Sequence, residues 1–338
     1  MGKQTLQFGF DKEAVTKRVS GRRSVFLDTN CWIHMADEVN EVACRVCDTL
    51  KRLMASGRIF CPLSWGLIEE LFLQSGDSLF RTAELMEELS LNAIYVMRSE
   101  LYRWELDRSI RRFRGEATNG SLEGLYVPPA AFVGSGPCVT FDFPEGVSIS
   151  PEAKVSANAF MKENLSKIGI VELARLMGGT RVDKTPPAYS EAAKKAMAKY
   201  KGKRTQLFMA EAGNCFHIYI FPLLLTYPPP LIASWSSRFG PATEEESWFQ
   251  NALAELPALH NFVDFMIVAD TQPERKDTNN VFMDNEIMVA PLAYANAFVS
   301  RDKGIRDTLR NRTKILERTK CQYFDGFSAL QPWLDTMS

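Results

Sequence analysis

The apolar run Ser24-Val25-Phe26-Leu27 stops abruptly on Asp28-Thr29-Asn30. A short apolar stretch closed by a polar triplet predicts a buried strand that delivers a carboxylate to its C-terminal end. Near the other end of the chain, Ala297-Phe298-Val299-Ser300-Arg301-Asp302 repeats the pattern: an apolar strand, a hydroxyl residue, then an acid. Just before it, Asp284 opens a helical pattern. In a parallel sheet every strand brings its last residues to the same edge, so acids far apart in sequence can converge on one crevice. Asp28, Asp284 and Asp302 are therefore expected to form one carboxylate cluster, with Glu70 pointing in from the helix that follows the second strand.

The stretch from Ser24 to about Val96 alternates strand and helix. A strand to Asp28, a helix over Glu41–Met54, a strand over Arg58–Cys61, helices over Ser64–Leu73 and near Leu79–Leu89, and a strand over Ala93–Val96 follow in turn. Ser64 is a fitting N-cap, and Leu67, Ile68, Leu71 and Phe72 make the apolar stripe of a helix packed on a sheet. Such alternation predicts an open parallel sheet. The middle differs: residues 115–146 are rich in Gly, Pro and Ser, and helices are expected over Pro151–Leu176 and Tyr189–Phe216. The α/β pattern returns around Phe262. The simplest organisation is an N-terminal arm (1–23), one α/β domain split into 24–99 and 262–338, and a mainly helical insertion (100–261) between its parts.

Composition removes some classes. With 338 residues and 46% apolar content the chain can bury a full core. Forty basic residues against 41 acidic ones give a net charge of −1, so a nucleic acid must be held by local basic patches. The seven cysteines are odd in number and sit mostly in apolar surroundings, as reduced core thiols do in a cytoplasmic protein. Cys44 and Cys47 form an isolated CxxC on what reads as one face of an amphipathic helix. The polar, basic N-terminus lacks the apolar core of a signal peptide. Residues 215–235 are uncharged, but Pro222 and Pro228-Pro229-Pro230 interrupt them, so buried strands and turns are expected there and no membrane contact.

Carboxylates a few ångströms apart repel by about 4 kcal/mol at an effective dielectric constant near 20, so a cluster of them needs protons or cations. Mg²⁺ or Mn²⁺ suits an all-oxygen donor set, whereas no His or Cys stands at a comparable position for zinc. The chain resembles the PIN-domain family: Asp28 with Asn30, Ser64 through Glu70-Leu71, Asp284 at a helix start, and Ser300-Arg301-Asp302 match its four acidic elements in order. Glu70 is preferred to Glu69 for its spacing to Ser64. Pro291, inside the helix begun by Asp284, should kink it or cost it a hydrogen bond.

The resemblance implies a PIN-like three-layer α/β fold with a central parallel sheet, interrupted by the insertion. It also implies a metal-dependent nuclease, most often an endoribonuclease, of the kind found among toxins, defence systems and RNA-processing factors. Asp28, Asp284, Asp302 and Glu70 would ligate Mg²⁺ or Mn²⁺, with Asn30 and Ser300 orienting the carboxylates. Arg301, Lys303, Arg306, Arg310 and Arg312, following the last acid, are the candidates for gripping phosphates; Arg108, Arg111, Arg112 and Arg114 form a second basic cluster. RNA is the expected substrate, and a regulatory or antitoxin-like protein or a second copy of the chain the expected protein partner. The alternatives are a nuclease for DNA or branched structures, and a non-catalytic binding module that keeps the fold.

Overall fold

In the computed structural model, the described residues are 5–118, 122–132, 138–142, 150–165, 167–177, 203–241, 243–271 and 287–337. The chain is mixed α/β and mostly helical, with a parallel four-stranded sheet. Its elements are β1 (Thr5–Gly9), α1 (Lys12–Val19), β2 (Arg23–Leu27), α2 (Thr29–Ala36), α3 (Glu41–Ala55), β3 (Ile59–Phe60), α4 (Trp65–Phe72), α5 (Gly76–Ser90), β4 (Ile94–Tyr95), α6 (Arg98–Phe113), β5 (Tyr126–Val127), β6 (Cys138–Asp142), α7 (Pro151–Leu165) and α8 (Ile170–Met177). They continue with α9 (Arg204–Cys215), α10 (Phe221–Leu224), α11 (Pro229–Ser237), α12 (Glu245–Ala254), α13 (Pro257–Thr271) and α14 (287–294). The last are β7 (Ala297–Ser300), α15 (Lys303–Asp307), α16 (Ile315–Arg318), β8 (Gln322–Asp325) and α17 (Phe327–Asp335). Two compact units divide the chain, one of residues 1–97, 122–181 and 324–338, the other of 98–121 and 182–323.

In the first unit β2 is the buried strand that its sequence predicts, with Val25, Phe26 and Leu27 fully inaccessible. A strand covered on both faces has no polar side to alternate with, which explains the unbroken apolar run. β2 pairs in parallel with β3 (Arg23↔Ile59, Ser24↔Phe60), and β4 pairs antiparallel with β5 (Ile94↔Val127, Tyr95↔Tyr126). Their aromatic rings meet in the core: Phe26 with Tyr95 at 6.4 Å, Tyr95 with Tyr126 at 5.0 Å and Phe60 edge-on to Tyr126 at 5.6 Å. Each such buried side chain contributes about 2 kcal/mol of transfer free energy. α3 turns Val46, Cys47, Leu50 and Leu53 inward, while Cys44 is half-buried at the edge of that face.

The second unit is built of helices around Trp235, Phe216 and Phe265, all buried. The Trp235 indole N–H donates to Ser109 Oγ at 2.9 Å, so its one polar atom is satisfied. The expectation of buried strands and turns over 215–235 is wrong. The helix of α9 continues through a π-helical turn, Phe216–Ile220, into α10, and α11 follows. Pro229 stands in the first turn of α11, behind the extended Pro228, where a missing N–H costs nothing because no helical acceptor precedes it. Pro222 instead lies within the continuous helical run, directly after the π-helical turn. Nor is the stretch uniformly buried: Ile218, Phe221 and Leu225 are exposed. By length and composition the helix Arg204–Leu224 could span a bilayer. Pro291 lies inside α14, which runs on to residue 294; the Ala295 amide donates to the Pro291 carbonyl at 2.7 Å.

Candidate functional site

β2 ends at Leu27, and Asp28 is the residue at which strand turns into helix. Its backbone is extended, and its Oδ1 accepts the Cys31 amide proton at 2.9 Å, which makes it the N-cap of α2. The indole N–H of Trp32, fully buried, donates to the Leu27 carbonyl at 3.1 Å and ties the strand end to the helix. Asp28 is thereby held in one orientation and is only 5% exposed. The next residue, Thr29, donates its hydroxyl proton to the Glu70 carboxylate. Glu70 is brought there by α4, whose N-cap is Ser64, accepting from the Leu67 amide at 3.3 Å. Glu70 is therefore fastened to the residue that follows Asp28, within the first unit. Asn30 is exposed in the first turn of α2.

In the second unit the end of β7 has the same local construction. Ser300 is fully buried, and its Oγ accepts the Asp302 amide proton at 3.0 Å. Asp302 is exposed, and its Oδ1 accepts from the Ile305 amide at 2.8 Å as the N-cap of α15. Asp284 lies outside the described residues. Among the described residues no group of three or more His, Cys, Asp or Glu side chains is gathered as a metal would need.

The basic residues after Asp302 divide by environment. Arg301, Lys303 and Arg310 are exposed, and Arg306 is half-buried. A π-helical turn over Thr308–Arg312 carries Arg310 and Arg312. Arg310 lies over the Tyr323 ring at 5.7 Å, while Arg312 is paired with Asp307 at 2.5 Å. The second basic cluster is largely engaged within the molecule: Arg108 stacks over Trp104 and donates to the Thr118 carbonyl, Arg112 pairs with Glu255 at 2.6 Å, and Arg111 and Arg114 face Glu116.

Burial settles the state of two other groups. Desolvation pushes the Cys47 thiol up to about 11, which disfavours its thiolate. His260 is held down to about 3 by burial and then by the Arg318 charge, and so stays neutral.

Two residues acquire roles that the sequence reading did not give them. Thr29 was no more than the middle of Asp-Thr-Asn, although its position directly after a candidate acid, Asp28, was visible. Glu105, in α6, is 2% exposed; its carboxylate accepts from the Ala258 and Leu259 amides and from the Tyr294 hydroxyl. The only signal for it in sequence was an acid among Leu101, Tyr102, Leu106 and Ser109, positions that turn out to be buried. Comparison with known protein families, with curated proteins and with solved structures found no match to this chain.

Proposed function

We propose that the chain is a divalent-metal-dependent endoribonuclease of the PIN type, with Asp28, Glu70, Asp284 and Asp302 as its acidic residues. The observation that carries this reading is the Thr29–Glu70 hydrogen bond, which joins a second carboxylate to the strand end that presents Asp28. The matching construction around Asp302 supports it: in both places an acid just past a buried strand is oriented by capping the next helix.

All four side chains are oxygen donors, the type that Mg²⁺ and Mn²⁺ prefer. A bound ion of this kind would supply a water of lowered pKa and neutralise charge on the phosphate. The remaining work falls to the chain. Capping fixes the carboxyl planes of Asp28 and Asp302 before substrate arrives, and Ser300 holds the Asp302 backbone. Glu70, oriented by Thr29, would position the attacking water and accept its proton. The exposed Arg301, Lys303 and Arg310 would hold backbone phosphates, with Arg306 beside them. Arg312, paired with Asp307, is the weaker candidate among the five. A cytoplasmic enzyme of this kind needs restraint, which a regulatory protein partner would provide.

Matched RNA and DNA oligonucleotides incubated with the protein and Mn²⁺ test the reading. RNA cleavage that disappears in Asp28→Asn and in Asp302→Asn supports it. Cleavage of DNA alone gives the site to the deoxy substrate instead, and cutting that survives both substitutions rules these acids out.

A further inference from the structure

Glu105 is buried in the second unit and serves three elements at once. One carboxylate oxygen accepts the Ala258 amide proton at 2.6 Å and the Tyr294 hydroxyl proton, and the other accepts from the Leu259 amide at 3.2 Å. The first turn of α13 and the last residue of α14 are thus fastened to α6 through one side chain. The Tyr294 ring is braced by Trp104, the neighbour of Glu105, edge-on at 5.1 Å. The charged groups facing the carboxylate are Arg112 and Arg108 on its own helix, and α14 contributes the Tyr294 phenol. Arg112 is already paired with Glu255 at 2.6 Å, and Arg108 is drawn over Trp104. α13 turns backbone amides to the carboxylate.

We propose that Glu105 is a positioning residue that works as a proton-dependent latch, holding α13 and α14 to α6 when it carries a proton and less firmly when it is ionised. A buried anion that no cation contacts is costly even when amides solvate it, whereas the protonated acid keeps the same neighbours without the charge. Burial accordingly pushes the Glu105 carboxyl up to about 7, against the opposing effect of its three hydrogen bonds and of Arg112. Protonation reverses one bond: the acid donates to the Tyr294 oxygen, and the phenol turns its own proton away.

Urea unfolding of the full chain between pH 4.5 and pH 8, for the wild type, Glu105→Gln and Tyr294→Phe, tests the latch. In the unfolded chain the acid has lost its proton above its ordinary value of 4.5, while the folded chain keeps it to about 7. Relative to Glu105→Gln, the wild-type folding equilibrium constant should fall about tenfold per pH unit across that window and then level off. Tyr294→Phe removes a bond that favours the anion, so the upper end of its window should move to higher pH. Wild type and Glu105→Gln with parallel pH profiles would overturn the proposal. If Glu105→Gln does not fold, an unmoved window in Tyr294→Phe overturns it equally. RNA cleavage separates the two readings: a chain that cuts nothing yet shows the unfolding window keeps the latch and loses the nuclease.

Discussion

An N-capping acid can be mistaken for a catalytic one, and Asp28 and Asp302 both cap helices, so the choice of substitution matters. Asparagine caps about as well as aspartate, whereas alanine forfeits about 1 kcal/mol. Asp28→Asn and Asp302→Asn should therefore leave the unfolding midpoint nearly unchanged while metal-dependent cleavage drops by about a hundredfold or more. Asp28→Ala would confuse the two effects. Thr29→Val is a finer probe because it keeps the shape and removes the donor to Glu70. Single-turnover cleavage should slow by about tenfold with little change in RNA affinity, a loss confined to orientation. Capping chemistry is local, which is why Ser64, Asp28 and Asp302 were legible from sequence. Glu105 was not, since its partners lie 153 to 189 residues away and nothing near it announces them.

At the scale of elements, α2 was missed and β4 pairs antiparallel with β5 instead of extending a parallel sheet, but much of the alternation over 24–96 translated into strands and helices, because one buried strand and its amphipathic neighbours each have their own period. The prolines of 215–235 did not. A proline suits the first turn of a helix, as Pro229 does in α11, and is costly but not forbidden in the interior, where Pro222 and Pro291 lie; only the neighbouring backbone shows which applies. Joining of elements is equally invisible in sequence, as Arg318 shows. From α16 it reaches Asp264 on α13, an acid 8% exposed, at 2.6 Å. Burial raises the Asp264 carboxyl, and the Arg318 guanidinium opposes that rise. Removing the cation leaves an acid with no adequate compensation, so Arg318→Met should cost about 3 kcal/mol in urea unfolding. Asp264→Asn in the same background should recover much of it, because the uncompensated charge disappears. A double substitution as unstable as Arg318→Met alone would mean that packing by the arginine stem, and not charge, accounts for the loss.

For the molecule as a whole, two buried groups pull stability in opposite directions as pH changes. Glu105 titrates near 7 when folded against 4.5 ordinarily, so the folded chain binds the extra proton and stability falls as pH rises across that interval. His260 is the reverse case, near 3 when folded against 6.5 ordinarily. The unfolded chain takes up that proton, so the contribution of His260 is complete above 6.5 and is lost as pH falls towards 3. Each slope is worth about 1.4 kcal/mol per pH unit for a whole proton. Between pH 4.5 and 6.5 the two cancel, and a flat wild-type profile there would say nothing about either group. Single substitutions expose them: in Glu105→Gln stability should climb with pH over this range, and in His260→Gln it should descend up to about pH 7. Urea midpoints converted with a common m-value provide the measurement, and the double variant should be flat again. Should both single variants track the wild type, neither burial is strong enough to hold its group in the neutral form. The flatness of the wild type would then reflect exposed, unshifted groups and not a balance of two buried ones.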